Sequence, residues 1–311
     1  MGMQRQSLGM ADGRVAEILT DGPSDGLPLV LHEGTPVGLS VYPPTVQAAA
    51  VRGLRVVLLA RPGYEGSTPW PGRRVADVAS DVAEVLDRLG ADTFLSAGWS
   101  GGGPHALACA ALLPGRCLAA ASIAGVAPYG ASGLDWMAGM GPENVEEFSA
   151  ALKGEQALTD FLEPAAAGMR DVTGAQVAEA LGGLASAVDK AALSGEFAEH
   201  MAAVLRAALS GGIAGWRDDD LAFTTGWGFS LGWDDKLGVE TLLGPENPPA
   251  PVAVWQGDQD RMVPFAHGQW LATHITRVRA HLLPGEGHLT LTVTSIDRIL
   301  DDLLDLAGIT A

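Results

Sequence analysis

Apolar and polar positions follow two different periods along this chain, and the two periods occur in turn. Residues 54–60 form a continuous apolar run between Gly53 and Pro62, which is typical of a parallel strand covered on both faces. Residues 75–89 then place apolar side chains at helical spacing and stop at Gly90. Further strands are predicted at 14–19, 29–31, 93–97, 117–123, 252–256 and 278–283, and further helices at 101–113, 265–274 and 295–306. This alternation predicts an α/β fold with a doubly wound, mostly parallel sheet.

The middle of the chain interrupts the alternation. Residues 126–248 have few β-branched runs, and their spacing predicts helices at 143–152, 160–169, 175–192 and 197–209. The end of this region is marked by Pro245, Pro248, Pro249 and Pro251. We therefore predict a core formed by residues 1–125 and 249–311, with a helical cap at 126–248 inserted between strands 6 and 7 of the sheet.

The chain is strongly acidic. Its 311 residues include 19 Lys and Arg and 37 Asp and Glu, which gives a net charge of −18. Residues 126–248 alone hold 19 of the acidic and 6 of the basic side chains. Such a field repels phosphate backbones and anionic lipid, so we expect no nucleic acid and no membrane among the partners.

Two further features bear on location. No apolar run approaches the roughly 20 residues that cross a bilayer, and the N-terminus lacks the apolar segment of a secretory signal. Cys109 and Cys117 lie in Ala- and Leu-rich sequence, which predicts buried, reduced thiols. We therefore expect a cytoplasmic protein, and the sequence leaves its oligomeric state open between a monomer and a homodimer.

Residues 98–102, Gly-Trp-Ser-Gly-Gly, match the G-x-S-x-G pattern. They lie between a predicted strand and a predicted helix, the context that separates a nucleophile turn from a glycine-rich turn with an incidental serine. Gly98 and Gly102 leave room for a strained turn, since Cβ atoms at both positions would collide with their surroundings. Ser100 is thereby presented beyond the strand ends, at a helix N-terminus whose partial positive charge favours an oxyanion.

A serine nucleophile needs a base, and one of the seven histidines is well placed to serve. His288 follows the last predicted strand, at the edge where an open α/β sheet forms its sites. A carboxylate must orient that base, and either Asp258 or Asp260, in the loop after residues 252–256, could do so. The alternative role of both aspartates is turn formation.

Two backbone N–H groups are candidates for an oxyanion hole. Gly101 follows the nucleophile directly, and Thr35 lies in the loop after the third strand, where Gly34 allows an unusual backbone angle. The alternative for that loop is an ordinary Gly-Thr-Pro turn. The sequence holds no spaced Cys/His cluster typical of zinc and no Walker or dinucleotide fingerprint, so we expect no metal and no organic cofactor.

These segments resemble the α/β-hydrolase fold superfamily, in its serine-nucleophile branch of capped esterases and proline-iminopeptidase-like enzymes. The matching stretches are LVLHEGTPVG, RPGYEGST, GWSGGGPHALACAALLP, GDQDRMVP and LLPGEGHLTL, in the chain order nucleophile, acid, histidine. The resemblance implies Ser100 as nucleophile, Asp260 as acid and His288 as base, with Thr35 and Gly101 as oxyanion donors. It also implies that the helical region is a cap.

Two departures separate the chain from iminopeptidases. Glu33 puts an acidic side chain beside the oxyanion loop, and the Trp-Gly pair that follows the serine in those enzymes is missing, with Trp99 preceding the serine instead. The serine also excludes the relatives that open epoxides or displace halides, which use Asp. We expect a serine hydrolase that cleaves a carboxylic ester of a small organic molecule through an acyl-enzyme. The alternatives are an amidase or aminopeptidase, or a binding protein or cofactor-free lyase on the same fold.

Substrate choice depends on the cap, and beyond Trp99 the sequence does not identify the lining. Aromatic and Met side chains suit an adaptable apolar wall, although most are expected to pack within the cap or on the sheet. The candidates are Trp136, Trp216, Trp227, Trp233, Met137, Met140, Met169 and Met201. The acidic run 218–220 is interpreted as a solvated face. The acidic cap favours neutral or weakly cationic esters over carboxylate-bearing ones, and the opposite preference would indicate a buried Arg170, Arg206 or Arg217.

Overall fold

The computed structural model of the protein describes residues 2–230 and 249–309. The strands of its sheet are β1 (Gln4–Gly9), β2 (Val15–Asp21), β3 (Leu27–His32), β4 (Leu54–Leu59), β5 (Phe94–Trp99), β6 (Cys117–Ile123), β7 (Val252–Gly257) and β8 (Val278–Leu283). They are ordered β1-β2-β4-β3-β5-β6-β7-β8 across the sheet. Only the pairings of β2 with β1 and β4 are antiparallel in this sheet, so the predicted mostly parallel α/β arrangement is confirmed.

One edge strand, β1, is missing from the sequence-based prediction. Its sequence is polar and its side chains are mostly exposed, because the strand pairs with a single neighbour at the sheet edge. The central strand β4 is instead buried along almost its whole length. An apolar run therefore identifies a strand covered on both faces and gives no signal for an exposed edge.

Helices cover both faces of the sheet, and further helices lie in the described part of the chain between β6 and β7. They are α1 (Pro43–Ala50), α2 (Val78–Leu89), α3 (Gly103–Leu112), α4 (Pro142–Ala151), α5 (Glu155–Met169), α6 (Gly174–Ala180), α7 (Ala187–Ala192), α8 (Gly195–Ala208), α9 (Ala214–Phe223), α10 (Phe265–His274), α11 (Thr290–Thr294) and α12 (Ile296–Leu306). Helices α2, α3 and α10 pack on one face, and α1 and α12 pack on the other. Neighbouring strand residues such as Leu29 and Val30 point to opposite faces, so each face carries its own apolar core.

Helices α4 to α9 lie between β6 and β7, and we call this segment of the described chain, residues 126–230, the helical insertion. The single helix predicted at 175–192 is wrong, because the chain breaks between α6 and α7 at Gly182, whose φ of 52° belongs to the left-handed region. Helix α9, which holds the acidic run, was not predicted at all. The division into core and cap stays a prediction, and its boundary at 248 lies outside the described residues.

The parallel pairing sets the position of the candidate site. The loops that follow β3, β5, β7 and β8 all leave the carboxyl edge of the sheet, where open α/β sheets bind ligands. Cys109 and Cys117 are buried in the core as free thiols, as predicted. No helix within the described ranges has the length and apolar character that crossing a membrane requires.

Candidate active site

The turn after β5 holds Ser100 in a strained conformation. Strand β5 ends at Trp99, a single 3₁₀ turn covers residues 100–102, and α3 follows. Ser100 has a φ of 55°, in the left-handed region that a non-glycine residue rarely adopts. A Cβ at Gly98 would collide with the carbonyl oxygen of Gly102, and a Cβ at Gly102 would collide with the carbonyl oxygen of His32. The flanking glycines are therefore required by the tight passage of the backbone.

The loops after β7 and β8 bring Asp260 and His288 into direct contact. Asp260 Oδ2 lies 2.8 Å from His288 Nδ1, and both side chains are buried. Asp260 Oδ1 accepts hydrogen bonds from the N–H groups of Met262 (2.9 Å) and Val263 (2.8 Å), and Gln256 Nε2 donates to Oδ2 at 3.0 Å. With its carboxylate held by these donors, Asp260 fixes the orientation of the imidazole.

The environment of His288 favours its protonated form. Burial by itself lowers the pKa of His288, but the Asp260 carboxylate and the charge of Asp189 outweigh burial, so the pKa is raised above 6.5. Trp99 packs beside the imidazole at 5.3 Å between ring centroids and donates its indole N–H to the His288 carbonyl at 3.2 Å. The ring is thus fixed on one side by an aromatic face and on the other by a carboxylate.

The two candidate aspartates have different environments. Asp258 is exposed, and its Oδ1 accepts the Gly285 N–H at 2.8 Å and the Gln259 side-chain amide at 2.9 Å. It ties together the loops after β7 and β8 without contacting the imidazole. The residue that meets His288 is Asp260, the one implied by the family resemblance.

The loop after β3 lies against the turn that carries Ser100. A Cβ at Gly34 would lie 3.3 Å from Ser100 Cβ, and a Cβ at Gly101 would lie 2.5 Å from Thr35 Oγ1. Arg61 fixes the backbone of this loop, because its guanidinium donates hydrogen bonds to the carbonyl oxygens of Glu33 (2.7 Å) and Gly34 (2.9 Å). Because these carbonyls are fixed by Arg61, the loop sits at the serine in a defined orientation.

A buried carboxylate of the helical insertion completes this support. Asp219, in α9, is fully buried and pairs with Arg61 at 2.6 Å and with Arg73. It also accepts hydrogen bonds from Thr35 Oγ1 (2.7 Å) and Tyr64 OH (2.8 Å). Burial alone raises the pKa of Asp219, but the two arginines outweigh it and hold that pKa well below its usual range.

The acidic run 218–220 is therefore not a solvated face, and that interpretation is wrong. Asp218, Asp219 and Asp220 are all buried, each with a relative exposure of 2% or less. The charges that neutralise Asp219 come from Arg61 and Arg73, which lie 158 and 146 residues away along the chain. Sequence alone could not reveal these ion pairs.

Glu33 does not place a negative charge beside the Thr35 loop at neutral pH. Burial raises the pKa of Glu33 to about 8, although the charge of Arg61 opposes the shift. Its carboxyl therefore holds a proton at pH 7. The departure from the family pattern noted in the sequence leaves the electrostatics of the Thr35 loop almost unchanged.

A cavity of about 430 Å³ opens above Ser100. Ser100, Gly101, Thr35 and His288 line it together, so the structure brings four of the predicted site residues into one enclosed space. Its size lies within the usual range for small-molecule sites. In residues 2–230 and 249–309, no group of three or more His, Cys, Asp or Glu side chains is arranged to hold a metal ion.

Most of the cavity wall comes from the helical insertion and is apolar. The lining includes Phe148, Phe161, Met169, Met201, Leu205, Trp216 and Phe223. Of the aromatic and Met candidates in the sequence, Trp216, Met169 and Met201 thus face the cavity, and Trp99 contributes from the core. Trp136, Trp227 and Met140 are buried in the core, Met137 packs against it, and Trp233 lies outside the described residues.

Three carboxyl groups, those of Glu143, Glu147 and Asp220, interrupt the apolar wall. Glu147 of α4 and Asp220 of α9 both line the cavity, and the Trp216 indole donates to Glu147 Oε1 at 2.6 Å. Burial and the proximity of Glu147 raise the pKa of Asp220, and burial also raises the pKa of Glu147. Among the described residues, no Lys or Arg lines the cavity, and neither Arg170, Arg206 nor Arg217 does so.

The fold and the arrangement of Ser100, Asp260 and His288 indicate the class of protein. The family model described as the alpha/beta hydrolase fold matches residues 28–293, so the chain belongs to the α/β-hydrolase fold family. The protein is an enzyme of that family.

Relatives of several kinds resemble the chain. A non-heme chloroperoxidase from Streptomyces lividans is 32% identical over 138 residues, 44% of this chain, and the match spans 50% of that curated relative. A hydrolase from Pseudomonas aeruginosa has 20% identity, coverage of 98% of both chains and a TM-score of 0.66. A thermophilic esterase from Thermogutta terrifontis has 17% identity, coverage of 98% and 99% and a TM-score of 0.66. A bromoperoxidase from Bacillus anthracis has 21% identity, coverage of 97% and 100% and a TM-score of 0.64. These solved structures share the fold of this chain.

Proposed function

We propose that the protein is a serine hydrolase that cleaves carboxylic esters of small organic molecules through an acyl-enzyme. The observation that carries this proposal is the contact between Asp260 and His288 at the same cavity as Ser100, which sits on a strained turn beside Thr35. A hydroxyl, an oriented base and a pair of backbone donors in one enclosed space are what acyl transfer requires. Esterases among the structures with the same fold agree with this choice.

In the proposed mechanism, Ser100 Oγ attacks the ester carbonyl while His288 Nε2 takes the hydroxyl proton. The C=O pair moves onto oxygen, and the N–H groups of Thr35 and Gly101 stabilise the resulting oxyanion. Collapse of this intermediate breaks the C–O bond to the alcohol, which leaves with the proton from His288. Water activated by His288 then hydrolyses the acyl-enzyme and releases the carboxylic acid. Asp260 stabilises the imidazolium that forms in each half-reaction.

We also propose that the insertion acts as the cap and selects apolar, neutral or weakly cationic esters. The aromatic and Met side chains of the insertion form the wall. The ionisable groups that the insertion presents to the cavity are the carboxyl groups of Glu143, Glu147 and Asp220. A carboxylate-bearing substrate would meet these groups without a cation to pair with, and the acidic field of the insertion would add to the penalty.

Labelling with an aryl or alkyl fluorophosphonate tests the nucleophile. We expect one label per chain, located on Ser100 by peptide mass spectrometry, and loss of both label and ester turnover in Ser100→Ala with a melting temperature close to that of the wild type. Removing a triad member typically lowers kcat by about 10⁴ to 10⁶. Ser80→Ala, at an exposed serine of α2, is the control and should label normally. Turnover retained in Ser100→Ala would exclude the proposed nucleophile.

A second candidate is an amidase or aminopeptidase, and Asp220 is the observation that favours it. Asp220 as a residue is 1% exposed and it lines the cavity beside Glu147, so a substrate amine could bind there as a cation. Asp218 and Asp219 are unavailable for this role, because they pair with Arg217 and with the two core arginines.

Paired substrates separate the two candidates. An aminoacyl anilide and an aryl ester with the same acyl group should be assayed with the wild type and with Asp220→Asn. The esterase proposal predicts that the ester is much the faster substrate and that Asp220→Asn raises its KM little. Faster turnover of the anilide, lost in Asp220→Asn, would establish the amidase instead.

A further inference from the structure

The loop that carries His288 is held by a carboxylate from the helical insertion. Asp189, in α7, is fully buried. Its Oδ1 accepts the N–H groups of Leu289 (2.7 Å) and Thr290 (3.3 Å), and its Oδ2 accepts the N–H of His288 at 3.2 Å. Three successive backbone donors, those of the candidate base and of the two residues after it, therefore point at one side chain.

The other contacts of Asp189 hold its carboxylate in place. Ser186 Oγ donates to Asp189 Oδ2 at 2.7 Å and accepts the Asp189 N–H at 3.3 Å. A Cβ at Gly287 would collide with Asp189 Oδ1, so the glycine before the histidine leaves the room that this carboxylate occupies. Neighbouring Lys190 is exposed, and in the described chain no Lys or Arg forms an ion pair with Asp189.

We propose that Asp189 is a positioning residue for His288, supplied by the insertion. It fixes the backbone of residues 288–290 so that Nδ1 meets Asp260 and the far side of the ring faces Ser100. It also stabilises the imidazolium, since no fixed cation competes for its charge. This role rests on the proposed hydrolase function.

The groups around the ring support the charge effect. The charged groups that act on His288 are Asp260, from the loop after β7, and Asp189, from α7, and both favour the imidazolium. Glu286, two residues earlier, is directed to the Thr294 hydroxyl at 3.4 Å. Trp99 contributes an aromatic face and a hydrogen bond without a charge. Removing the Asp189 charge should therefore lower the pKa of the imidazole.

Asp189→Asn tests the proposal. The asparagine amide keeps one acceptor oxygen, but its NH₂ group would face backbone N–H donors. Because two donors repel each other, the loop that carries His288 should shift. We expect kcat to fall by about 10²-fold, the loss that a misplacement of about 1 Å can cause, with KM changed little. The acidic limb of kcat/KM should move to lower pH. Asp160→Asn, at an exposed aspartate of α5, is the matched control and should keep both kcat and the limb.

The labelling experiment keeps this test separate from the proposed function. The fluorophosphonate should still react at Ser100 in Asp189→Asn, more slowly but with one label per chain. If the wild type does not label at Ser100, the hydrolase proposal fails. If the wild type labels and Asp189→Asn keeps its kcat and its acidic limb, the positioning role alone is overturned.

A milder variant decides the question if Asp189→Asn does not fold. Ser186→Ala removes one hydrogen bond to Asp189 Oδ2 and leaves the charge in place. The expected result is a kcat lowered several-fold, an unchanged KM and an unmoved acidic limb. An unchanged kcat in folded Ser186→Ala would contradict the proposal.

Discussion

Adjacent aspartates of α9 should lose very different amounts of stability on the same substitution. Asp219→Asn removes the charge that neutralises Arg61 and Arg73, whose side chains are each 3% exposed. Breaking a buried ion pair by removing one partner costs about 3 to 5 kcal/mol, because the remaining charges stay desolvated. Asp218 instead pairs with Arg217, which is partly exposed, and burial raises the pKa of Asp218. Asp218→Asn should therefore stay within about 1 kcal/mol of the wild type.

The pH dependence of stability gives the second readout. The folded-state pKa of Asp219 lies well below 3.8, so its stabilisation is complete above pH 4 and is lost as the pH falls through the folded pKa. The deficit of Asp219→Asn should accordingly shrink in acid. The contribution of Asp218 to stability should have the opposite pH dependence. Because burial raises the pKa of Asp218, its ionised form destabilises the folded state.

Urea titrations followed by tryptophan fluorescence, together with calorimetry, measure these effects. For Asp219→Asn, 3 to 5 kcal/mol corresponds to a decrease in Tm of roughly 5 to 8 °C, because unfolding 311 residues at about 2.1 cal/mol/K per residue gives an unfolding entropy of about 0.65 kcal/mol/K. Asp218→Asn is the matched control, because it makes the same chemical change one residue away. Equal losses of stability in the two variants, or a deficit in Asp219→Asn that grows below pH 4, would refute the reasoning.

Three further predictions concern activity. Asp260→Asn should lower kcat by about 10⁴-fold while Asp258→Asn changes it little, and the reverse order would identify Asp258 as the acid. His288 must be neutral to act as a base, and its pKa is raised above 6.5, so kcat/KM should fall as the pH decreases through that pKa. A flat profile down to pH 5 would contradict a histidine base. Of matched neutral and carboxylate-bearing esters, the neutral one should be the better substrate, and the difference in kcat/KM should narrow at high salt, because salt screens the acidic field of the insertion. A preference for the acidic ester at both salt concentrations would disprove that selectivity.

The sheet and its carboxyl-edge loops could be predicted because their signals are local. A run such as 54–60 is apolar on both faces, as a covered parallel strand must be. The turn around Ser100 shows its glycines in the sequence, since the steric conflict they avoid arises within a few residues. The position of His288 follows from the strand that precedes it.

The supports of the site could not be predicted, because they depend on contacts that are distant in sequence. Asp219 meets Arg61 across 158 residues, and Asp189 meets His288 across 99. In sequence, each is one acidic residue among the many of an acidic segment. The break at Gly182-Gly183 is different, because a Gly-Gly pair within the helical pattern was a visible sign of a break between α6 and α7.

Two carboxylates of the helical insertion, Asp189 and Asp219, bind loops at the carboxyl edge of the sheet, and this affects how the protein can be engineered. Asp219 supports the Thr35 loop, and Asp189 supports the His288 loop. An insertion transplanted from a relative to change selectivity would bring a new cavity wall, and unless it carried carboxylates at the same two places it would leave Arg61 and Arg73 without their shared counter-ion. A productive exchange should therefore keep α7 and α9 from this chain and vary α4, α5 and α8, which supply wall residues such as Phe161 and Met201. Specificity and catalytic geometry can then be changed separately within one insertion.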